Sequence, residues 1–126
     1  MKTILLAYND TDSSKRALER TAELAGFYGA NVVVTSVVPV VVGAASDGLD
    51  PELARARDLL AERGIEPELV GAVGDPAEAI LQVADAHGAG LIVVGTREPS
   101  QVERMLGHSV SEAVQRMAHC DVLIVH

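Results

Sequence analysis

Gly95, Arg97, His108 and Ser109 stand where the parts of a phosphate-holding loop would stand. The aliphatic run Leu91 to Gly95 (LIVVG) reads as a buried strand, and a polar loop follows it. Ser109, Val110, Ser111 and Glu112 then have the spacing of a capping box that opens a helix. Strand, loop and capped helix start is a layout that binds anions, because free backbone N–H groups and the positive end of the helix dipole face the loop. Glu98 and His108 occupy positions where such loops use glycine for close backbone approach. A carboxylate at 98 opposes a polyphosphate, whereas Arg97 and a protonated His108 add positive charge beside the helix start. Read without a ligand, Ser109 and Glu112 simply close the helix end on itself, and the two roles are compatible.

These residues need a frame. Five aliphatic runs alternate with helical ones: Thr3 to Tyr8, Asn31 to Val38, Glu68 to Val73, Leu91 to Gly95 and Asp121 to Val125. Leu5, Val34, Val93 and Ile124 sit mid-run with apolar neighbours, as in strands covered on both faces. Helices are expected from about Ser13 to Tyr28 with Gly29 as stop, and from Pro51 to just before Gly64. A third follows the Asp75-Pro76 start and ends before Gly88, and a fourth runs from Ser109 to about Ala118. Asp10, Asp12 and Ser13 read as capping residues of the first helix. Strand and helix in alternation imply right-handed crossovers and an open parallel sheet with helices on both faces. The expected order is 3-2-1-4-5, which puts the switch point between the first and fourth strands. The loops after Tyr8 and Gly95 would then face each other across one crevice, where open α/β sheets bind ligands. Residues 39–50 form the one long irregular stretch and read as a connector, a lid or a partner surface.

The totals agree with a single α/β domain over residues 1–126. The only aromatic residues are Tyr8, Phe27 and Tyr28, so the core must be aliphatic. A net charge of −8 argues against nucleic acid or an anionic membrane as partner. Cys120 is the single cysteine, which excludes an internal disulfide and a multi-cysteine metal site. It reads as a small, partly buried apolar residue. His87 sits at a helix end, His119 in a turn and His126 at the terminus; none suggests a metal site. The apolar run in MKTILLAYND is too short for a signal peptide, so the expected location is cytoplasmic.

Three blocks together resemble the universal stress protein family over essentially the whole chain. ILLAYNDTDSSKRALERTAELA is similar to the family's opening strand, loop and helix. VGDPAEAILQVADAHGAGLIVVGTR is similar to its central block, and GHSVSEAVQRMAHCDVLIV to its ending. The resemblance implies an adenine nucleotide alpha hydrolase-like, Rossmann-like sheet. It further implies adenine near Val37, ribose near Ala7 and Asn9, and phosphates near Gly95, Arg97, Ser109, Val110 and Ser111. Nucleotide-binding members carry Gly-x2-Gly-x9-Gly-Ser/Thr after the fourth strand. Here Gly95 and Ser109 match, whereas Glu98 and His108 replace the second and third glycines. Asn9 replaces the acidic residue after the first strand, and Asp10 stands where a glycine is common.

No nucleophile, base and oxyanion set is visible, so the expected function is not enzymatic. It is that of a stress-response regulatory module without the glycine-rich signature and without a cofactor, acting through protein contacts. The alternative is an adenine-nucleotide binder (ATP with Mg, or AMP) with a modified phosphate loop. In the expected strand order the last strand is an edge open to pairing. A homodimer joined through Val122, Leu123, Ile124 and Val125 is expected from that edge, and the resemblance implies the same; a regulatory protein partner is also expected.

Overall fold

A computed structural model describes residues 2–38, 50–96 and 110–126. Arg97, Glu98, His108 and Ser109, and the 39–49 part of the irregular stretch, lie outside the described residues. The elements in chain order are β1 (Thr3–Ala7), α1 (Asp12–Tyr28), β2 (Asn31–Val38), α2 (Pro51–Ala61) and β3 (Glu68–Val73). They continue with α3 (Pro76–His87), β4 (Leu91–Gly95), α4 (Val110–Met117) and β5 (Asp121–Val125). The strands form one parallel sheet in the order β3-β2-β1-β4-β5. Ile4 pairs with Val32 on one side and Leu91 on the other, so the first strand made is the central one.

Local chemistry places the ends. Asp50 and Asp75 each precede a first-turn proline and accept from a backbone N–H, Glu52 at 2.7 Å and Glu78 at 3.1 Å. Gly29 ends α1 in the left-handed region at φ 65°, and its N–H returns to the Ala25 carbonyl. The start of α1 differs from the expectation. Its cap is Thr11, whose Oγ1 accepts from Ser14 N–H at 3.2 Å. Asp12 instead lies in the first turn, where its charge suits the helix dipole. Asp10 stands outside the helix at φ 59°. β1 ends one residue early, at Ala7, although Tyr8 N–H still donates to the Thr35 carbonyl at 3.0 Å.

Alternation along the strands divides the core in two. Ile4, Leu6, Val32, Val34 and Val93 pack beneath α1 and α2, against Ala17, Leu18, Leu53 and Leu60. Leu5, Val33, Ile92 and Val94 face α3 and α4, against Ile80, Val83 and Val114. Each fully buried Leu or Ile contributes roughly 1.5–3 kcal/mol, less whatever the unfolded chain already buries. Leu5, Val34 and Val93 are fully covered as expected, but Ile124 is only partly so. β5 has a neighbour on one side only, and among the described residues nothing pairs with its outer flank. No helix among the described residues is long and apolar enough to cross a membrane.

Candidate functional site

Because β1 and β4 are neighbours whose following helices go to opposite faces, their carboxyl ends part and leave a cleft. Ala7 at the end of β1 and Asn9 in the turn after it line the cleft, with Val94 and Gly95 from β4 and Thr35 and Val37 from β2. Pro76 and Ile80 of α3 form a side wall, and Val110 and Ser111 bring the start of α4 to the rim. The structure therefore brings together Ala7, Asn9, Val37, Gly95, Val110 and Ser111 of the expected site. Arg97, His108 and Ser109 fall outside the described residues. Val37 and Ile80 offer an apolar surface suited to a flat ring, while the first turn of α4 supplies the positive end of a helix dipole.

Asn9 is held by its carbonyl. Its Oδ1 accepts from Ser14 Oγ at 2.6 Å and Thr11 Oγ1 at 2.8 Å, with a longer contact from Thr11 N–H at 3.4 Å. The backbone donors fix the polarity: Thr11 N–H can only donate, and Thr11 Oγ1 is already an acceptor for Ser14 N–H. The amide nitrogen is thus turned away from this network and remains a donor beside the cleft. An aspartate in the same place would offer two acceptors and a charge. Asn9 offers a neutral N–H.

Gly95 has a packing reason to be glycine. A Cβ built there would stand 2.6 Å from the carbonyl carbon of Ser13 and 2.7 Å from the Ser14 nitrogen. The first turn of α1 lies directly on the end of β4, and no flexible side chain could yield. Its glycine character follows from this contact without any phosphate.

Tyr8, Ser14, Thr35, Pro76, Ile80 and Val94 line the cleft and were not expected there. Thr35 had a visible signal, a hydroxyl within the aliphatic run NVVVTSVV. Its Oγ1 donates to the Val70 carbonyl at 2.7 Å, which satisfies the hydroxyl in the sheet. Ser14 could have been found from its position in the first helical turn, close behind the turn that carries Asn9.

A second polar group lies at the other side of the β1–α1 turn. Arg55 of α2 donates through Nε and Nη2 to Asp10 Oδ2. The Arg55 guanidinium holds the Asp10 carboxyl below the usual carboxylate range, against the effect of burial. Burial pushes the neighbouring Tyr8 hydroxyl up to about 12; the Asp10 carboxylate adds to this and Arg55 opposes it. Tyr8 OH and Asp10 Oδ1 are buried, and neither has a well-aligned hydrogen-bond partner among the described residues. Left-handed backbone costs an L-residue about 1–2 kcal/mol, less for Asp than for most. Elsewhere, His87 Nδ1 lies 2.9 Å from the Val83 carbonyl, and its Nε2 is 3.6 Å from Glu68. His119 sits 3.5 Å from Asp85. Burial, with Asp121 and Asp85 nearby, raises the Cys120 thiol, so it behaves as a partly buried apolar residue.

The family model described as the universal stress protein family matches residues 1–126. The chain belongs to the universal stress protein family. A universal stress protein of Thermus aquaticus is 38% identical over 98% of each chain. Among solved structures, a universal stress protein in complex with cAMP superposes with a TM-score of 0.83 at 29% identity, covering 99% of this chain and 97% of the other. The Archaeoglobus fulgidus universal stress protein in complex with dAMP gives 0.78 at 25% identity, over 100% and 98%. The five-stranded parallel sheet is thus that of a universal stress protein fold.

Proposed function

We propose that this universal stress protein is a regulatory module whose cleft takes an adenine nucleotide with one phosphate group, and that it works as a homodimer. The observation that carries the reading is the convergence at one cleft of an apolar wall (Val37, Ile80), a neutral donor (Asn9) and the start of α4 (Val110, Ser111). A purine, a ribose hydroxyl and a small anion ask for those three things. The cAMP and dAMP complexes of relatives of the same fold support the ligand class.

A metal-bridged triphosphate suits these residues less well. Divalent ions want anionic or carbonyl oxygens. Asn9 Oδ1 already accepts from Thr11 and Ser14, and Asp10 Oδ2 is engaged by Arg55. The described residues do not fit a protein-held magnesium ion, and no step is routed through one. Binding without turnover is the better reading, because the cleft hydroxyl of Ser14 donates to a neutral amide that cannot take its proton. For the dimer, the support is the half-covered edge strand β5, whose Val122, Leu123, Ile124 and Val125 are only partly buried.

Thermal melts with AMP, cAMP, and ATP with and without Mg²⁺ test the ligand. Linkage gives about 2.7 kcal/mol of stabilisation at a hundredfold excess over Kd. AMP or cAMP should raise Tm without added cation and more than ATP does. If none of them raises it, the nucleotide reading fails and action through protein contacts alone is left.

A further inference from the structure

We propose that Arg55 of α2 is a positioning residue for the cleft, clamping Asp10 so that the turn on its other side presents Asn9. The proposal rests on the nucleotide reading above. Asp10 is the single described non-glycine residue with positive φ, 59°, and it stands directly between Asn9 and Thr11. Asn9 forms the cleft wall, and Thr11 caps α1. The three residues make one turn with two functions, and its conformation is one that a glycine would take without help. In place of a glycine the turn has a carboxylate, and that carboxylate is held from outside by both Nε and Nη2 of Arg55.

The restraint reaches the cleft through few bonds. Arg55 fixes Oδ2 of Asp10, and the buried Tyr8 hydroxyl lies beside the same carboxylate. With residue 10 fixed, the backbone on either side is fixed, and Asn9 Oδ1 meets Thr11 and Ser14. α2 is itself anchored next to this point, since Glu52 Oε2 accepts from the buried Ser36 Oγ at 2.8 Å. Arg55 therefore acts from a helix seated on the sheet, not from a free surface position, although its own side chain is exposed.

A double-mutant cycle with Asp10→Gly tests this. Arg55→Ala in the natural background should weaken AMP or cAMP binding by roughly threefold to tenfold, with far-UV dichroism unchanged. In the Asp10→Gly background the same change should have no effect, because glycine holds the turn unaided. Amide exchange at Thr11 and Ser14, measured without ligand, should speed up in Arg55→Ala and not in the double variant. Equal losses in both backgrounds would show that Arg55 acts through the seating of α2, and would overturn the proposal. So would unchanged exchange in Arg55→Ala. If the natural protein binds no nucleotide, the ligand reading fails alone, and the exchange rates still decide the clamp.

Discussion

Gly95 and Ser13 are in backbone contact: a Cβ on residue 95 would stand 2.6 Å from the Ser13 carbonyl carbon. The end of β4 and the first turn of α1 can approach this closely only through glycine. Gly95→Ala should therefore cost about 1–3 kcal/mol, since the neighbour that must give way is helix backbone. Urea titration would read this as a lower midpoint with an unchanged slope. An unchanged midpoint would mean that α1 does not lie on β4 as described.

Asn9→Asp separates the two ends of one amide. The Oδ1 side should gain, since its bonds from Ser14 and Thr11 become charge-assisted, and Tm should hold or rise slightly. The Nδ2 side loses a donor and gains a negative charge beside the anion. Affinity for AMP or cAMP without divalent cations should fall about tenfold, as measured by calorimetry. Undiminished affinity would show that the amide nitrogen does not meet the ligand.

Tyr8 gives a pH signature. Its hydroxyl is raised to about 12 in the folded protein, above its ordinary 10, by burial first and then by Asp10. The folded state thus holds the proton more tightly than the unfolded chain. That contribution is complete below pH 10 and is lost as pH rises through 12. Urea midpoints should fall more steeply over this window in the natural protein than in Tyr8→Phe. At pH 7 the variant should lose little stability, because the buried hydroxyl has no well-aligned hydrogen bond and removing it forfeits only its imperfect contact with Asp10.

The proposed dimer rests on β5. Leu123→Glu places a charge in the middle of the edge strand, on the side that packs toward the core beneath α1. Sedimentation should show monomer, or unfolded protein if the inner packing fails first. Asp121→Lys, at the exposed start of the strand, should leave folding intact. A folded dimer in Leu123→Glu would sink pairing through this strand.

The fold was legible because every strand is an aliphatic run and the starts of α2 and α3 carry ordinary punctuation, Asp50-Pro51 and Asp75-Pro76. The cleft was legible too, since strand order alone sets the carboxyl ends of β1 and β4 side by side at the switch point. The cap of α1 was not. Asn9 to Ser14 holds several side chains able to cap a helix, and the choice falls to Thr11 while Asp10 is engaged by a guanidinium 45 residues away. Nor does a glycine at 95 reveal which backbone presses on it. The partial cover of Ile124 had the same origin. A local pattern reads as a central strand, and only the sheet order makes it an edge.

Ile4 pairs with Leu91, so the strand translated first is completed by one translated much later. On the ribosome, β1 and β2 can pair early, yet one flank of β1 stays open until residues beyond Gly95 have emerged. The cleft waits as well, for its last pieces are Val94, Gly95, Val110 and Ser111. Nascent chains halted before that point expose a bare aliphatic strand and have nowhere to seat a ligand. A nucleotide bound as proposed would therefore stabilise a finished chain that has loosened, but would not guide one still being made.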